Sequence, residues 1–192
     1  MSLSNAKSIC PASPQEWRKW LQENHKQEQS VWLIYNKKGS GVPSLSWSEA
    51  VDEALCFGWV DGRRQPIDDK QFRQLFTPRK PNSLWSKINK DKVARLIREG
   101  KMTAEGQKCI GTAKTNGMWT YMDAVEAGIV PRDLQDALNQ DQDALDFFQS
   151  QRKSVKKMML TWVHMAKKEE TRKKRIHEIV TSAAKGEKPS QL

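Results

Sequence analysis

Between Cys56 and Lys87 the chain reads CFGWVDGRRQPIDDKQFRQLFTPRKPNSLWSK, and no other stretch gathers as many side chains able to touch a ligand. Three carboxylates, Asp61, Asp68 and Asp69, stand among Arg63, Arg64, Arg79, Lys80 and Lys87. Acid–base chemistry there would need a carboxylate of tuned pKa joined to a nucleophile or a metal. The stretch supplies neither. His25, His164 and His177 fall on separate predicted helices, the last two among basic residues where a solvated role is expected. Adjacent aspartates at a hairpin tip form turns. Cys56, beside Phe57 at a helix end, reads as a buried, inert thiol. Guanidinium and ammonium groups, by contrast, suit phosphates and carboxylates, and the rings of Trp59 and Trp85 offer faces on which a base or another ring stacks. The candidate ligand-binding set is therefore Trp59, Asp61, Arg63, Arg64, Arg79, Lys80, Trp85 and Lys87, with no catalytic residue and no metal ligand assigned. Two readings compete with it. One keeps both tryptophans in the core and leaves the arginines as solvated strand faces. The other is an enzyme acting on a small anionic substrate, with Asp61 or Asp68 as acid or base.

Charge points the same way. Of 192 residues, 33 are Lys or Arg and 23 are Asp or Glu, a formal net charge of +10. The excess is uneven: residues 37–101 hold 14 basic and 8 acidic side chains and residues 151–192 hold 12 and 4, whereas residues 102–150 hold 3 and 8. The partner classes this admits are an anionic small molecule, a nucleic acid or an acidic protein surface. A solvated charged surface gives the same composition, and the acidic middle can lie against a basic block. Eight tryptophans carry enough apolar area for a substantial core, which excludes a disordered chain. Cys10, Cys56 and Cys109 are far apart, with no CxxC pair or Cys/His cluster, so neither a disulfide framework nor a zinc site is expected, and no cofactor. The leader lacks a charged region followed by a long apolar run, and no apolar run approaches the roughly 18 residues of a membrane helix. A cytoplasmic location is expected.

Caps and periodicity outline the elements that must hold this stretch. Residues 1–12 read as a mobile lead. Ser13-Pro14-Gln15-Glu16 opens a helix whose Trp17, Trp20 and Leu21 share one face, ending near Asn24-His25. VWLIYN, 31–36, reads as a strand covered on both faces. Lys37-Lys38-Gly39-Ser40-Gly41 is a basic loop without the glycine spacing of a phosphate-binding P-loop. Ser46 and Glu49 form a capping box before the apolar face Trp47, Ala50, Val51, Ala54 and Leu55, and Gly58 stops that helix. Residues 60–67 and 72–77 make a hairpin over Asp68-Asp69-Lys70, and Pro78 and Pro81 stiffen the link that follows. From Ser83 onward the chain reads as helix. Leu84, Trp85 and Ile88 begin one helix, Asn89 caps a second that stops at Gly100, and Thr103 caps a third that ends at Asn116-Gly117. Trp119 and Tyr121 lie in a connection, Val130-Pro131 opens another helix, and Asp141 caps the next. Two basic helices close the chain, with stripes Val155, Met158, Met159, Trp162, Val163, Ala166 and Ile176, Ile179, Val180, Ala183, expected to pack as a hairpin on the domain. The fold class is α+β: a small antiparallel sheet of about three strands with flanking helices at 14–24 and 47–57, then a mostly helical C-terminal region. The expected organisation is a sheet-containing part, 1–82, and a helical part, 83–192, packed as one compact unit.

The run from Ala54 to Met102 resembles the signature of the YdeI/OmpD-associated (bacteriocin-protection) family of bacterial proteins. The matching elements are Phe57-Gly58-Trp59-Val60-Asp61-Gly62, Phe76-Thr77-Pro78-Arg79-Lys80, Ser83, Trp85-Ser86-Lys87, Asn89 and Gly100-Lys101-Met102. Ala166-Lys167-Lys168, Glu170-Thr171-Arg172 and Arg175-Ile176 are similar to the family's closing motif. The likeness runs from the helix at Trp47 to Gly186. It implies a stress-protection role in tolerance of bacteriocins or cationic antimicrobial peptides. It carries over no catalytic residues. Some relatives are predicted to be periplasmic, from which this chain departs in having no export signal. Together, residues and resemblance lead to the expectation of a non-enzymatic binder of an anionic ligand or partner through a basic, Trp-edged surface.

Overall fold

Short oxygen-bearing side chains set the helix starts. Ser13, Ser46, Ser86, Thr103 and Asp141 each accept a hydrogen bond from the backbone N–H three residues on, and Glu49 returns the bond to the Ser46 N–H, completing the capping box. In a computed structural model that describes residues 6–37 and 39–191, these caps open α1 (Pro14–Asn24), α2 (Trp47–Cys56), α3 (Lys87–Arg98), α4 (Ala104–Thr115) and α7 (Gln142–Ser150). Lys38 of the basic loop lies outside the described residues, as do residues 1–5 of the lead. One start differs from expectation. Residues 83–86 are not helical, and Ser86, extended at φ −73° and ψ 156°, caps α3 in place of Asn89. A serine three residues upstream is as good a cap as asparagine, and Asn89 then donates its N–H to it at 3.3 Å.

Four strands build a mixed sheet in the order β1-β2-β4-β3: β1 (Lys7–Ile9), β2 (Val31–Asn36), β3 (Trp59–Pro66) and β4 (Gln71–Pro78). The hairpin β3–β4 is as expected, and its tip is an Asx turn in which Asp68 Oδ1 accepts the N–H groups of Lys70 and Gln71, both at 2.7 Å. The fourth strand corrects the expected mobile lead. Lys7, Ser8 and Ile9 pair in parallel with Val31, Trp32 and Leu33, and three residues are too few to show an alternation that would mark a strand.

The contacts divide the chain into two units, one ending at Thr120 and the other beginning at Tyr121. In the first, α1 and α2 pack on the sheet as expected. Trp17, Leu21, Val31, Leu33, Phe76, Ala54 and Leu55 form one cluster, and Val93, Leu96, Ile110 and Ala113 bring α3 and α4 into it. The change from sheet to helix at 82/83 therefore lies inside this unit. The second unit holds α5 (Asp123–Glu126), α6 (Arg132–Leu138), α7, α8 (Lys153–His164) and α9 (Glu169–Ala183), with Leu134, Leu138, Phe148, Met159, Val163 and Ile179 buried. Here the expected α8 stripe is too wide. Met159, Leu160 and Val163 are buried, whereas Met158 is 48 % exposed. Arg172 clamps Asp133 with two hydrogen bonds of 2.6 and 2.8 Å, tying α9 to α6. Among the described residues no helix is long and apolar enough to cross a membrane.

The contact between α2 and α4 depends on a missing side chain. A Cβ on Gly106 would stand 2.3 Å from the Cys56 carbonyl oxygen, while one on Gly111 of the same helix would meet nothing within 4 Å. Gly106→Ala should therefore destabilise the first unit by about 2–3 kcal/mol, and Gly111→Ala should stabilise it by up to about 1 kcal/mol through helix propensity alone. Urea unfolding followed by tryptophan emission measures both, because seven of the eight tryptophans lie in that unit.

Candidate anion-binding site

Arg79 is the first residue after β4, and its placement follows from the backbone around it. Gly58, at φ +71°, turns the chain from α2 into β3, and a Cβ there would stand 2.6 Å from Cys109 Sγ. Its carbonyl accepts the Arg79 N–H at 2.8 Å. Pro78 and Pro81 hold the link extended, and the Arg79 side chain turns inward, 8 % exposed. Its guanidinium carbon lies 3.8 Å from the centre of the buried Trp85 ring, and Nη1 donates to the Leu84 carbonyl at 2.8 Å. Nε and Nη2, both buried, have no hydrogen-bond partner among the described residues. Burial draws the Arg79 pKa down to about 10, with Cys109 and Asp61 opposing the shift. The group therefore stays charged at neutral pH.

Several other cations of this unit have carboxylates. Arg18 meets Glu53 at 2.7 Å, and Lys92 and Arg95 share Asp52. Arg79 has none within ion-pair distance among the described residues. Around it lie Cys109, whose Sγ is 3.8 Å from the Gly58 carbonyl oxygen, and Trp119, whose ring centre is 4.9 Å from that of Trp85. Lys90 and Lys114 sit over the Trp119 ring at 5.7 and 5.5 Å, and Asn116 Nδ2 donates to the Pro81 carbonyl at 2.9 Å. Trp119, Lys90 and Lys114 were not among the expected site residues. They come from α3, α4 and the loop beyond, and no local spacing ties them to the hairpin.

The eight expected residues disperse. Arg79 and Trp85 come together. Trp59 is 1 % exposed in the core, its Nε1 donating to the His25 carbonyl at 3.3 Å and its ring edge-on to Trp20. Neither tryptophan lends a face to the surface, because burying a ring of that size outweighs leaving it in water. Asp61 Oδ2 accepts from Trp47 Nε1 at 3.1 Å and Gln74 Nε2 at 2.9 Å. Arg63, Arg64 and Lys80 are exposed. Arg64 lies 3.8 Å above Phe72, which stacks on Tyr35 at 4.8 Å. Burial pushes the Tyr35 phenol far above its usual range, and its hydroxyl has no partner. Lys87 pairs with Asp91 one turn on. Asp68 is occupied by the hairpin turn. No three His, Cys, Asp or Glu side chains among the described residues stand together as a metal cradle.

The three thiols are free and graded in exposure. Burial lifts Cys56 to about 11 and also raises Cys109, where Arg79 opposes the shift. Only thiolate attacks a disulfide reagent. At pH 8, Ellman's reagent should thus label exposed Cys10 first, half-buried Cys109 at least tenfold more slowly, and Cys56 only on unfolding. The Cys109 rate should climb with pH as its thiolate fraction grows. Single Cys→Ser variants assign each phase.

Residues 9–109, just over half of the chain, match a family model described as a domain of unknown function, DUF8412. Residues 127–186 match the model described as bacteriocin-protection, YdeI or OmpD-associated. The closing motif from Ala166 to Ile176 lies in this second match, whereas the longer run from Ala54 to Met102 lies in the first. Neither the curated proteins nor the solved structures gave a significant match. The chain thus belongs to the DUF8412 family, and its residues 127–186 are similar to the bacteriocin-protection, YdeI or OmpD-associated family.

Proposed function

We propose that this is a non-enzymatic, cytoplasmic stress-protection protein of the YdeI/OmpD-associated type that binds an anionic ligand at Arg79. One observation carries the reading: a buried guanidinium with two free nitrogens and no carboxylate partner among the described residues. The free pair is chemically specific. Nε–H and the Nη2–H beside it share one edge of the guanidinium plane and form the side-on fork that takes two oxygens of a carboxylate or phosphate. Nη1, on the far side, is already held by the Leu84 carbonyl. An uncompensated buried charge costs several kcal/mol, and an oxyanion on that edge offsets the cost. Exposed Arg63, Arg64 and Lys80 are sources of the attractive field that would bring the anion in. Free cysteines accord with a reducing compartment. The carboxylates offered for catalysis have structural work: Asp68 holds a turn, and Asp61 holds Trp47 and Gln74.

The test is thermal unfolding in phosphate, sulfate or acetate against chloride at fixed ionic strength. At ten times the dissociation constant an anion should stabilise the wild type by about 1.4 kcal/mol, or roughly 3–6 °C. Arg79→Met, which keeps the volume without the charge, should be no less stable than wild type in chloride and should lose the anion response. Arg79→Lys, which lacks the fork, should lose most of it. Equal anion stabilisation of wild type and Arg79→Met sinks the proposal. Fluorescence anisotropy with short DNA and RNA across salt separates a nucleic-acid partner, whose binding would weaken steeply as salt rises.

A further inference from the structure

The second unit contains a cavity of about 540 Å³, within the range of small-molecule sites. Its floor is apolar: Val125 from α5, Val130 from the following link, and Leu145 and Phe148 from α7. Its rim is cationic, because α8 opens on it with Lys153, Lys156 and Lys157. Glu126 is the one carboxylate in the lining, and it is paired with Lys157 at 2.7 Å. Lys156 Nζ reaches the Gln149 carbonyl at 2.8 Å. Lys153 is exposed and has no partner among the described residues. No side chain caps α8, and its first turn holds no acidic residue, so the helix dipole adds to the positive rim.

From this geometry we infer that the cavity binds a single-chain anionic amphiphile, a free fatty-acid-type carboxylate. Its chain lies on Val125, Val130, Leu145 and Phe148, and its head meets Lys153 and Lys156. Charge complementarity decides the class. A neutral apolar ligand would leave the lysines unused, and a cationic amphiphile would meet like charge at the lysine rim. A second, more open groove shares Ser154 and Lys157 and continues along α8 past Met158 and Met165, 48 % and 43 % exposed. This gives a longer chain apolar surface to follow, and methionine adapts to flexible chains. The site is independent of Arg79.

Isothermal titration calorimetry with sodium decanoate, below its micelle concentration, tests this on the full chain. In the Arg79→Met background, which removes the carboxylate edge proposed above, one decanoate should bind per chain. Lys153→Glu with Lys156→Glu, both away from the core, should weaken it at least tenfold, and Leu145→Trp should obstruct the apolar floor and weaken binding. The wild type should bind that decanoate and, at the Arg79 edge, a second one that the charge reversal leaves unchanged, which separates this site from the first. Circular dichroism and the melting temperature establish that each variant is folded, and the charge reversal remains decisive if Leu145→Trp is not. The inference fails if no saturable heat is seen, if decyltrimethylammonium binds as well as decanoate, or if the charge reversal changes nothing. It also fails if the protein binds phosphatidylglycerol vesicles but not monomeric decanoate.

Discussion

Four segments of the first unit meet at the end of α2, and their meeting rests on two carbonyl oxygens. The Cys56 carbonyl accepts both the N–H and the hydroxyl of Thr103, at 3.1 and 2.6 Å, which docks the start of α4. The Gly58 carbonyl accepts the Arg79 N–H, which docks the end of β4. Both bonds need close approach, and glycine permits it: Gly106 has no Cβ to strike the Cys56 carbonyl, and Gly58 takes a left-handed turn. Helix α2 therefore fixes β3, the end of β4 and α4 relative to one another. The inward turn of Arg79 and the approach of Cys109 follow from that junction rather than from any attraction between the two side chains.

Magnitudes explain why Arg79 is unusual. Burying a charge costs several kcal/mol even after relaxation. Stacking on Trp85 returns about 2 kcal/mol when desolvated, and the bond to the Leu84 carbonyl roughly 1.5–3 kcal/mol. These offset much of the cost, so the arginine is tolerated without an anion, but the Nε and Nη2 edge is left without compensation. The depressed pKa expresses the same imbalance: the native state disfavours the cation relative to the unfolded chain, so this group contributes more favourably as pH rises through about 10 toward its ordinary value. A bound oxyanion would reverse that sign.

Local chemistry was legible in the sequence and long-range chemistry was not. Caps at Ser13, Ser46, Thr103 and Asp141, the capping box, and the Asp68 turn were all readable because each involves residues within four of one another. Strand β1 was hidden because its partner, Val31–Leu33, lies beyond α1. The site was half legible. Arg79 and Trp85 were named, but as a surface, since the inward turn depends on Gly58 and on α4. The irregularity between Asp61 and Arg64 also breaks the alternation of faces along β3, so which side Arg63 and Arg64 take does not follow from counting. Trp119 reaches Trp85 from beyond two helices, a contact that no periodicity encodes.

The two proposed sites would offer cations to anions in different ways, and the difference sets what each could discriminate. A buried guanidinium edge has fixed direction and low dielectric around it, so an anion bound there would be selected by shape: two coplanar oxygens match its two N–H groups better than one spherical halide does. Lysines on the rim of an apolar cavity are flexible and hydrated, so they select by sign and leave shape to the floor. The first site should therefore be strict about the head of a ligand and indifferent to its size, the second strict about the apolar body and tolerant of the head. That division follows the matches, since Arg79 lies in the DUF8412 segment and the cavity's α7 and α8 in the YdeI/OmpD-associated one. On the two proposals, each segment would bring its own anion-recognition chemistry.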